Sequence, residues 1–234
     1  MKKSKYGQAH LSVIPLRAEP SHKSELVSQL LYNETYTIIE ENTDWALIMC
    51  LHDNYQGWLA KNQINYITKE IFDTPFQYYN PELILWNNKL QQYLFMGSPF
   101  NRLPVKPKKN KIETVCHAAE QYINTPYLWG GRSPLGIDCS GLMQICYRMC
   151  GLLLPRDASE QVLIGNKIEW GEHQRGDLAF FENDKKEVTH VGLVWDKKSV
   201  LHASGNVRID QLTYEGIYFQ NKQSHKLIQL RKVI

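Results

Sequence analysis

The sequence predicts an α+β protein of two domains, in which a small antiparallel β-barrel precedes a domain with helices packed on an antiparallel sheet. Two observations support this prediction. Early in the 234-residue chain, short apolar runs alternate with polar breaks such as SHKS and NTD, a pattern typical of a small barrel. Later, segments with helical spacing of apolar residues come first and strand-like runs follow, as in α+β domains.

The predicted barrel and an extension occupy a first domain of residues 6–104. Within the extension, ELILWNNKLQQYLFMG fits two structures. It is either a hairpin that turns at Asn87 and Asn88, since asparagine tolerates tight turns, or a helix. The following stretch, SPFNRLPVKPKKNK, holds three prolines and four lysines and predicts a linker at residues 105–110.

The second domain is predicted to span residues 111–234. Helical spacing in IETVCHAAEQYI and SGLMQICYRMCGLL predicts two helices, and Gly151 is a candidate C-cap of the second. RDASEQVLIG predicts a short third helix in which Asp157 and Glu160 form a capping box. GDLAFFE, THVGLVWD, SVLHASGNVRID and HKLIQLRKVI predict the strands.

Composition excludes several classes of partner. A net charge of +3 is too small to indicate nucleic-acid binding, and no apolar run approaches the ~18 residues that a membrane span needs. We therefore expect no nucleic-acid or membrane partner; we also expect a monomer. Five cysteines, an odd number, fit reduced thiols better than a disulfide framework. This favours the cytoplasm, or the periplasm or exterior if a signal peptide has been removed.

Cys139 is a candidate nucleophile because it lies where a glycine-bounded turn becomes a helix. The unpaired N–H groups and the positive end of the helix dipole favour a thiolate there. Position alone leaves a nucleophile and a structural thiol equally open. Cys146 and Cys150 lie inside the helix and are predicted to pack in the core.

His190 and His202 are candidate partners for Cys139 because each lies in a strand-like run. Two imidazoles on neighbouring antiparallel strands could lie side by side, one taking the thiol proton and the other fixing its tautomer. The alternative is that each caps a strand at the surface. Five further histidines lie in polar, loop-like surroundings and are predicted to have no role in the site: His10, His22, His52, His173 and His225.

A zinc site is not predicted, because the chain has no C-x-x-C pair, the usual spacing of structural zinc ligands. No other cofactor is predicted.

Six short motifs occur in a fixed order: PYLWGG, DCSG, PRDASEQ, RGDLAFF, THVGLVW and VLHASG. Together they resemble the NlpC-type family of papain-like bacterial cell-wall cysteine peptidases, over roughly residues 110–234. The stretches VIPLRAEPSHKSELVSQLLYNE and DNYQGWL resemble the bacterial SH3-like barrel that precedes this peptidase in enzymes of murein peptide recycling. The resemblance thus covers nearly the whole chain.

The resemblance implies a papain-like second domain and a defined reaction. Family members cleave the bond between γ-linked D-glutamate and a diamino acid, meso-diaminopimelate or lysine, in peptidoglycan stem peptides. By motif, Cys139 is the nucleophile, His190 the general base and later acid, and His202 the orienting third residue. Tyr127 of PYLWGG corresponds to a family tyrosine near the oxyanion.

The resemblance also implies a site for the free amine of an N-terminal L-alanine on the substrate. Asp138, Glu25 and Tyr55 correspond to its acidic and aromatic residues. Glu25 could instead be a solvated strand charge, and Tyr55 a turn aromatic packed beside Trp58. The substrate-binding residues implied by the motifs are completed by a serine and an arginine: Ser140 and Arg156.

One position departs from the family pattern. Ala158 stands where many members have a serine, so a substrate contact there is not expected. Two other functions fit the same scaffold: a non-catalytic module that binds cell-wall peptides, and an amidase or acyltransferase. A decayed site usually loses a polar residue, and the absence of an amphipathic anchor argues against a lipid substrate. The peptidase is therefore the leading hypothesis.

Overall fold

A computed structural model describes residues 5–74, 78–100 and 110–234. The chain divides into two compact units. The N-terminal unit comprises Met1–Lys106 with Trp129–Pro134, and the C-terminal unit comprises Pro107–Leu128 with Leu135–Ile234. The sequence placed all of 111–234 in the second domain, whereas Trp129–Pro134 groups with the N-terminal unit. The predicted linker lies outside the described residues except for Asn110.

An antiparallel sheet forms the N-terminal unit, and its strands follow the predicted apolar runs. The strands are β1 (Tyr6–Gln8), β2 (Val13–Arg17), β3 (Leu26–Leu31), β4 (Thr35–Glu41), β5 (Trp45–Cys50), β6 (Gln56–Ala60) and β7 (Tyr66–Ile67). Their order in the sheet is β3-β2-β6-β5-β4-β1-β7. A 3-10 turn, Lys61–Gln63, precedes β7, and a short helix, α1 (Lys69–Phe72), follows it.

The core of this unit comes from the alternation of apolar residues along the strands. In β2, Ile14 and Leu16 are fully buried while their neighbours are only partly so. Tyr36 also lies in this core, with its ring against Gly7. A Cβ at Gly7 would lie 2.2 Å from the Tyr36 ring, so the close approach of β1 requires glycine.

The extension forms hairpin structure, which confirms the first of the two alternatives. Its strands are β8 (Tyr78–Tyr79), β9 (Ile84–Asn87), β10 (Gln92–Phe95) and β11 (Pro99–Phe100). Asn87 pairs with Gln92, so the turn lies at residues 88–91 and its centre is two positions later than predicted. Gln91 supplies the left-handed backbone of this turn, with φ 51°.

Three helices of the C-terminal unit lie close to their predicted positions. They are α2 (Lys111–Gln121), α3 (Cys139–Arg148) and α4 (Ala158–Gln161). Gly151 has a left-handed φ of 86° just beyond α3, as a glycine that ends a helix does. The capping box predicted at α4 is wrong, because the side chain of Asp157 makes no capping hydrogen bond.

The C-terminal sheet closes on itself. Its strands follow β12 (Arg132–Ser133) and β13 (Gly136–Ile137) and are β14 (Asn166–Ile168), β15 (Leu178–Glu182), β16 (Val188–Asp196), β17 (Ser199–Ser204), β18 (Asn206–Leu212), β19 (Gly216–Phe219) and β20 (Lys222–Lys232). The order is β14-β20-β15-β16-β17-β18-β19, and β19 also pairs with β20. The run SVLHASGNVRID, predicted as one strand, is two strands that reverse at Gly205, whose φ is 75°.

Apolar side chains from most strands of this closed sheet form one core. It contains Ala179, Phe181, Val194, Val200, Leu212, Ile217 and Leu230. Cys146 is fully buried, which confirms its predicted core role, whereas Cys150 is half-buried. The α+β fold class is confirmed. Across the described residues, no helix has the length and apolar character to cross a membrane.

Candidate active site

Cys139 is the first residue of α3, as the sequence predicted. Asp138 caps the helix, and its Oδ1 accepts a hydrogen bond from the Gly141 amide at 2.7 Å. This cap fixes the turn that presents Cys139 at the helix N-terminus. Only 6% of Cys139 is exposed to solvent.

Burial dominates the protonation of Cys139. Burial, together with the neighbouring Asp138 carboxylate, raises the pKa of the thiol to about 12. The Val191 amide, the Arg156 guanidinium and the Ser140 amide act in the opposite direction but do not compensate. The thiolate that the helix position predicted is therefore not the resting form. The thiol must lose its proton as it reacts, and a base must be close by.

A chain of hydrogen bonds supplies a base. His190 in β16 and His202 in β17 lie side by side, with 2.8 Å between His190 Nε2 and His202 Nδ1. On the far side, His202 Nε2 lies 2.9 Å from Asp210 Oδ2. Asp210 Oδ2 also accepts a hydrogen bond from Arg208 Nε at 2.9 Å. The two histidines predicted from separate runs are thus brought together.

These contacts assign the tautomers. An ionised Asp210 accepts only, so His202 carries its proton on Nε2 and accepts at Nδ1. His190 must then donate from Nε2, which leaves its Nδ1 lone pair free to take a proton. The Val191 amide, from the residue after His190, hydrogen-bonds Cys139. The base and the thiol therefore belong to one site.

The electrostatics keep this base uncharged. Burial lowers the pKa of His190 well below its usual value, and His202, His225 and Arg208 lower it further. Burial also lowers the pKa of His202, although Asp210 opposes the shift. Burial alone would raise the pKa of Asp210, but the hydrogen bonds from His202 and Arg208 hold it below its usual value. At neutral pH the site holds a carboxylate, two neutral imidazoles and a thiol.

Tyr127 lies beside this site. Its amide donates to the Gly205 carbonyl at 2.9 Å, and its backbone forms a β-bridge with Ile137, two residues before Cys139. Burial raises the pKa of its hydroxyl, and the nearby Cys139 and Asp138 add to the rise. Tyr127 is therefore a neutral hydroxyl donor near the sulfur.

The predicted substrate-binding residues Asp138, Ser140 and Arg156 form one buried cluster. Arg156 donates to both carboxylate oxygens of Asp138, at 3.1 and 2.5 Å, and to Ser140 Oγ at 2.9 Å. Gln161 from α4 donates to the Ser140 carbonyl at 3.0 Å. The cluster thus holds the start of α3 in place. Amine binding by Asp138 stays a prediction, and an ammonium there would share a carboxylate already paired with arginine.

Glu25 and Tyr55 lie in the N-terminal unit. Glu25 is exposed just before β3, and its Oε1 accepts a hydrogen bond from Trp129 Nε1 at 2.5 Å. Tyr55 is half-buried before β6, where its amide donates to Asp53 Oδ1 at 3.0 Å. Glu25 is therefore not only a solvated strand charge. Substrate binding by either residue stays a prediction.

Sequence reasoning missed three residues around His190 and His202. His225 was predicted to lie in loop-like surroundings, but it lies in β20, with its ring stacked on His190 at 4.1 Å between centroids. Arg208 and Asp210 were not singled out. Their signal was their spacing, since Arg208 pairs with His202 and Asp210 is two residues further along β18. Reading that signal required recognising the reversal at Gly205.

Comparisons with known proteins identify related chains. A family model described as the NlpC/P60 family matches residues 124–227, and one described as the bacterial dipeptidyl-peptidase Sh3 domain matches residues 16–64. The chain is 30% identical over 237 residues to dipeptidyl-peptidase 6 of Lysinibacillus sphaericus, which covers 81% of this chain and 84% of that protein.

Two further relatives are informative. The chain is 26% identical over 212 residues to the gamma-D-glutamyl-L-lysine dipeptidyl-peptidase of Bacillus subtilis, covering 75% of this chain and 71% of that one. The crystal structure of an NlpC/P60 family protein from Bacillus cereus matches with a TM-score of 0.80 and 18% identity, over 97% of this chain and 99% of that chain. At that identity, the match shows a shared fold.

Proposed function

The chain belongs to the NlpC/P60 family, and we propose that it is a cysteine peptidase that hydrolyses the bond between γ-D-glutamate and a diamino acid in peptidoglycan stem peptides. One observation carries the proposal. Cys139 begins α3 beside Val191, and the neighbouring His190 belongs to a relay that ends at Asp210. The name of the Bacillus subtilis relative supports the γ-D-glutamyl bond as the target.

The first half of the reaction is acylation. As Cys139 Sγ bonds to the amide carbon, the thiol proton passes to His190 Nδ1. His190 becomes an imidazolium, which is stabilised through His202 by the Asp210 carboxylate. The C–N bond then breaks, and His190 returns the proton to the departing amine of the diamino acid.

The negative charge that develops on the carbonyl oxygen needs donors. The Cys139 amide lies at the N-terminus of α3, where helical N–H groups have no partners within the helix. The neutral hydroxyl of Tyr127 is the second candidate donor. Preorganised donors of this kind stabilise an oxyanion without a cost of reorganisation.

Deacylation repeats the proton transfers with water. His190 Nδ1 takes a proton from the water as its oxygen attacks the thioester carbon. The C–S bond breaks, and the proton returns to the Cys139 sulfur. A neutral thiol and a neutral imidazole are thereby restored, which is the resting state that burial favours.

The proposal is tested by mass spectrometry on defined peptides. We expect L-Ala-γ-D-Glu-L-Lys, its meso-diaminopimelate counterpart, or both to be cleaved after D-glutamate. Cys139→Ala should abolish cleavage, whereas Cys150→Ala, at a half-buried thiol away from the helix start, should retain it. Intact peptide with the wild-type protein, or equal cleavage by Cys139→Ala, contradicts the proposal.

We further propose a preference for peptides with a free N-terminal L-alanine. Asp138, Glu25 and Tyr55 are the residues that the family resemblance assigns to the amine, and a carboxylate is the partner that a desolvated ammonium needs. N-acetylation of the same peptide should abolish turnover. Undiminished cleavage of the acetylated peptide would instead favour intact cell wall as the substrate.

A further inference from the structure

His225 packs against the proposed general base from a strand distant in sequence. We propose that His225 is a positioning residue that holds the His190 imidazole in the orientation required for proton transfer. This role rests on the proposed function. It adds a third imidazole to the site, in contact with the base but outside the hydrogen-bonded relay.

The contact is a stack. The rings of His190 and His225 have centroids 4.1 Å apart and planes inclined by 25°. His202 meets the same His190 ring at its edge, with planes inclined by 83°. His225 is itself held by a contact of 2.9 Å between its Nδ1 and Ser224 Oγ. His190 thus has His225 on its face and His202 at its edge, and the Phe181 ring lies farther off, at 5.7 Å between centroids.

The two contacts restrict different motions. The hydrogen bond to His202 fixes the direction of His190 Nε2, but a single hydrogen bond allows the ring to turn about its own axis. A flat ring packed on the face opposes that rotation. Since proton transfer needs His190 Nδ1 to point at Cys139, the stack supplies the constraint that the relay lacks.

The backbone is shaped to bring these rings together. Phe181 in β15 is the register partner of His190, and β15 is irregular at Phe181 in its pairing with both β16 and β20. Such bulges increase local twist and re-aim side chains. On the other side, Gly216 has a φ of 147°, and a Cβ there would lie 1.9 Å from the His225 carbonyl oxygen. The approach of β19 to His225 therefore requires glycine.

The charges around the pair favour neutral rings. The titratable and charged groups that act on His190 are His202 from β17, Arg208 from β18 and His225 from β20. Burial, with His202 and Arg208 acting in the same direction and Asp210 opposing them, lowers the pKa of His225 to about 4. At neutral pH the stack is therefore between two uncharged imidazoles, and it adds no repulsion.

The same three imidazoles lie close enough together to be considered as metal ligands. One ligand nitrogen each from His190, His202 and His225 lies within 4.8 Å of the others. The lone pairs of an imidazole lie in the ring plane, so the nearly parallel rings of His190 and His225 do not aim at a common point. A metal would have to break the stack, and the packing therefore supports positioning.

Steady-state kinetics with three variants test the role. His225→Ala removes the ring and should lower kcat by about tenfold or more while KM changes by less than about twofold. His225→Phe keeps a flat ring and should stay within about threefold of wild type. The control is His117→Ala, at an exposed position of α2. Wild-type kcat in His225→Ala, or equal loss in His225→Phe, overturns the proposal.

The pH dependence provides a readout that general destabilisation would not move. Loss of the His225 ring hydrates His190, and its lowered pKa should rise toward the usual value. The acidic limb of the kcat/KM profile should then move to higher pH, by about one unit, in His225→Ala only. An unshifted limb counts against the proposal.

An NMR titration of the His190 ring in a Cys139→Ala background separates the two proposals because it needs no turnover. Adding His225→Ala should raise the apparent pKa of His190, whereas adding His225→Phe should leave it low. Unchanged titration in both would overturn the role of His225 even in an active enzyme. If the pKa of His190 shifts as expected but the protein cleaves no peptide, the proposed function is contradicted and the positioning role of His225 is not.

Discussion

A buried ion pair in the N-terminal unit and the buried histidine relay in the C-terminal unit use polar side chains in different ways. In the N-terminal unit, Arg132 donates to both carboxylate oxygens of Glu34 at 2.9 and 3.0 Å, and both side chains are almost wholly buried. Glu34 also accepts from the Leu31 amide at 2.8 Å. In the C-terminal unit, the buried relay ends in one carboxylate, Asp210, and its imidazoles remain neutral.

The difference separates a structural pair from a reactive site. The Arg132 guanidinium stays charged throughout the working range of pH, so this pair rests on a fixed charge, and it ties residues 129–134 to the rest of their unit. Neutral imidazoles beside a carboxylate can accept a proton and then release it. Burial of charge therefore holds structure at Arg132 and Glu34, as it does at Arg156 and Asp138 in the C-terminal unit, whereas the relay that ends at Asp210 is prepared for proton transfer.

The largest expected effect comes from breaking the reactive site at Asp210. Asp210→Asn replaces the acceptor of the His202 proton with an amide, which favours the wrong tautomer of His202 and leaves the His190 imidazolium unsupported. We expect kcat to fall by about 10² to 10⁴ with little change in KM. Kinetics on the stem peptide measure the effect.

Asp184→Asn, at an exposed position of the loop before β16, is the matched control and should keep the wild-type kcat. A wild-type rate in Asp210→Asn would show that the relay ends at His202.

Breaking the structural pair should instead reduce stability. Glu34→Gln leaves the fully buried Arg132 guanidinium without its anion, and loss of one partner of a buried ion pair costs about 3 kcal/mol or more. Urea denaturation followed by tryptophan fluorescence measures the free energy of unfolding. An unchanged unfolding curve would contradict this prediction. It would mean that the ion pair adds nothing to the free energy of unfolding beyond the cost of desolvating the two charges.

A smaller effect is expected from pH. The pKa values of His190 and His202 are lowered in the folded state, so the unfolded chain binds more protons below about pH 6.5. Their contribution is therefore full above that pH and is lost as the pH falls toward the folded-state values. We expect the free energy of unfolding to decrease between pH 7.5 and 5.5 by on the order of 1 kcal/mol for each histidine.

Denaturation curves at several pH values measure this decrease. Stability that rises as the pH falls would contradict neutral buried imidazoles.

Sequence reasoning succeeded where a structure depends on a local pattern and failed where it depends on contacts between distant segments. The apolar alternation of β2 and the helical spacing of α2 and α3 are local patterns, and they predicted the elements and the position of Cys139. The site beyond Cys139, His190 and His202 depends on strand pairing between distant segments. His225 reaches His190 only because the sheet closes through β19 and β15 is irregular at Phe181. No local pattern encodes either feature.

The smallest expected effect shows whether burial, rather than pairing, makes these groups matter. Lys69 and Asp73 form an ion pair at 2.5 Å on α1, but their side chains are 69% and 52% exposed. Water solvates both charges when the pair is broken, so little is gained by forming it. Lys69→Ala should therefore leave the urea unfolding curve unchanged within error, beside the large shift of Glu34→Gln. A comparable loss in both variants would mean that pairing itself, and not desolvation of the unpaired charge, accounts for the stability of the structural pair.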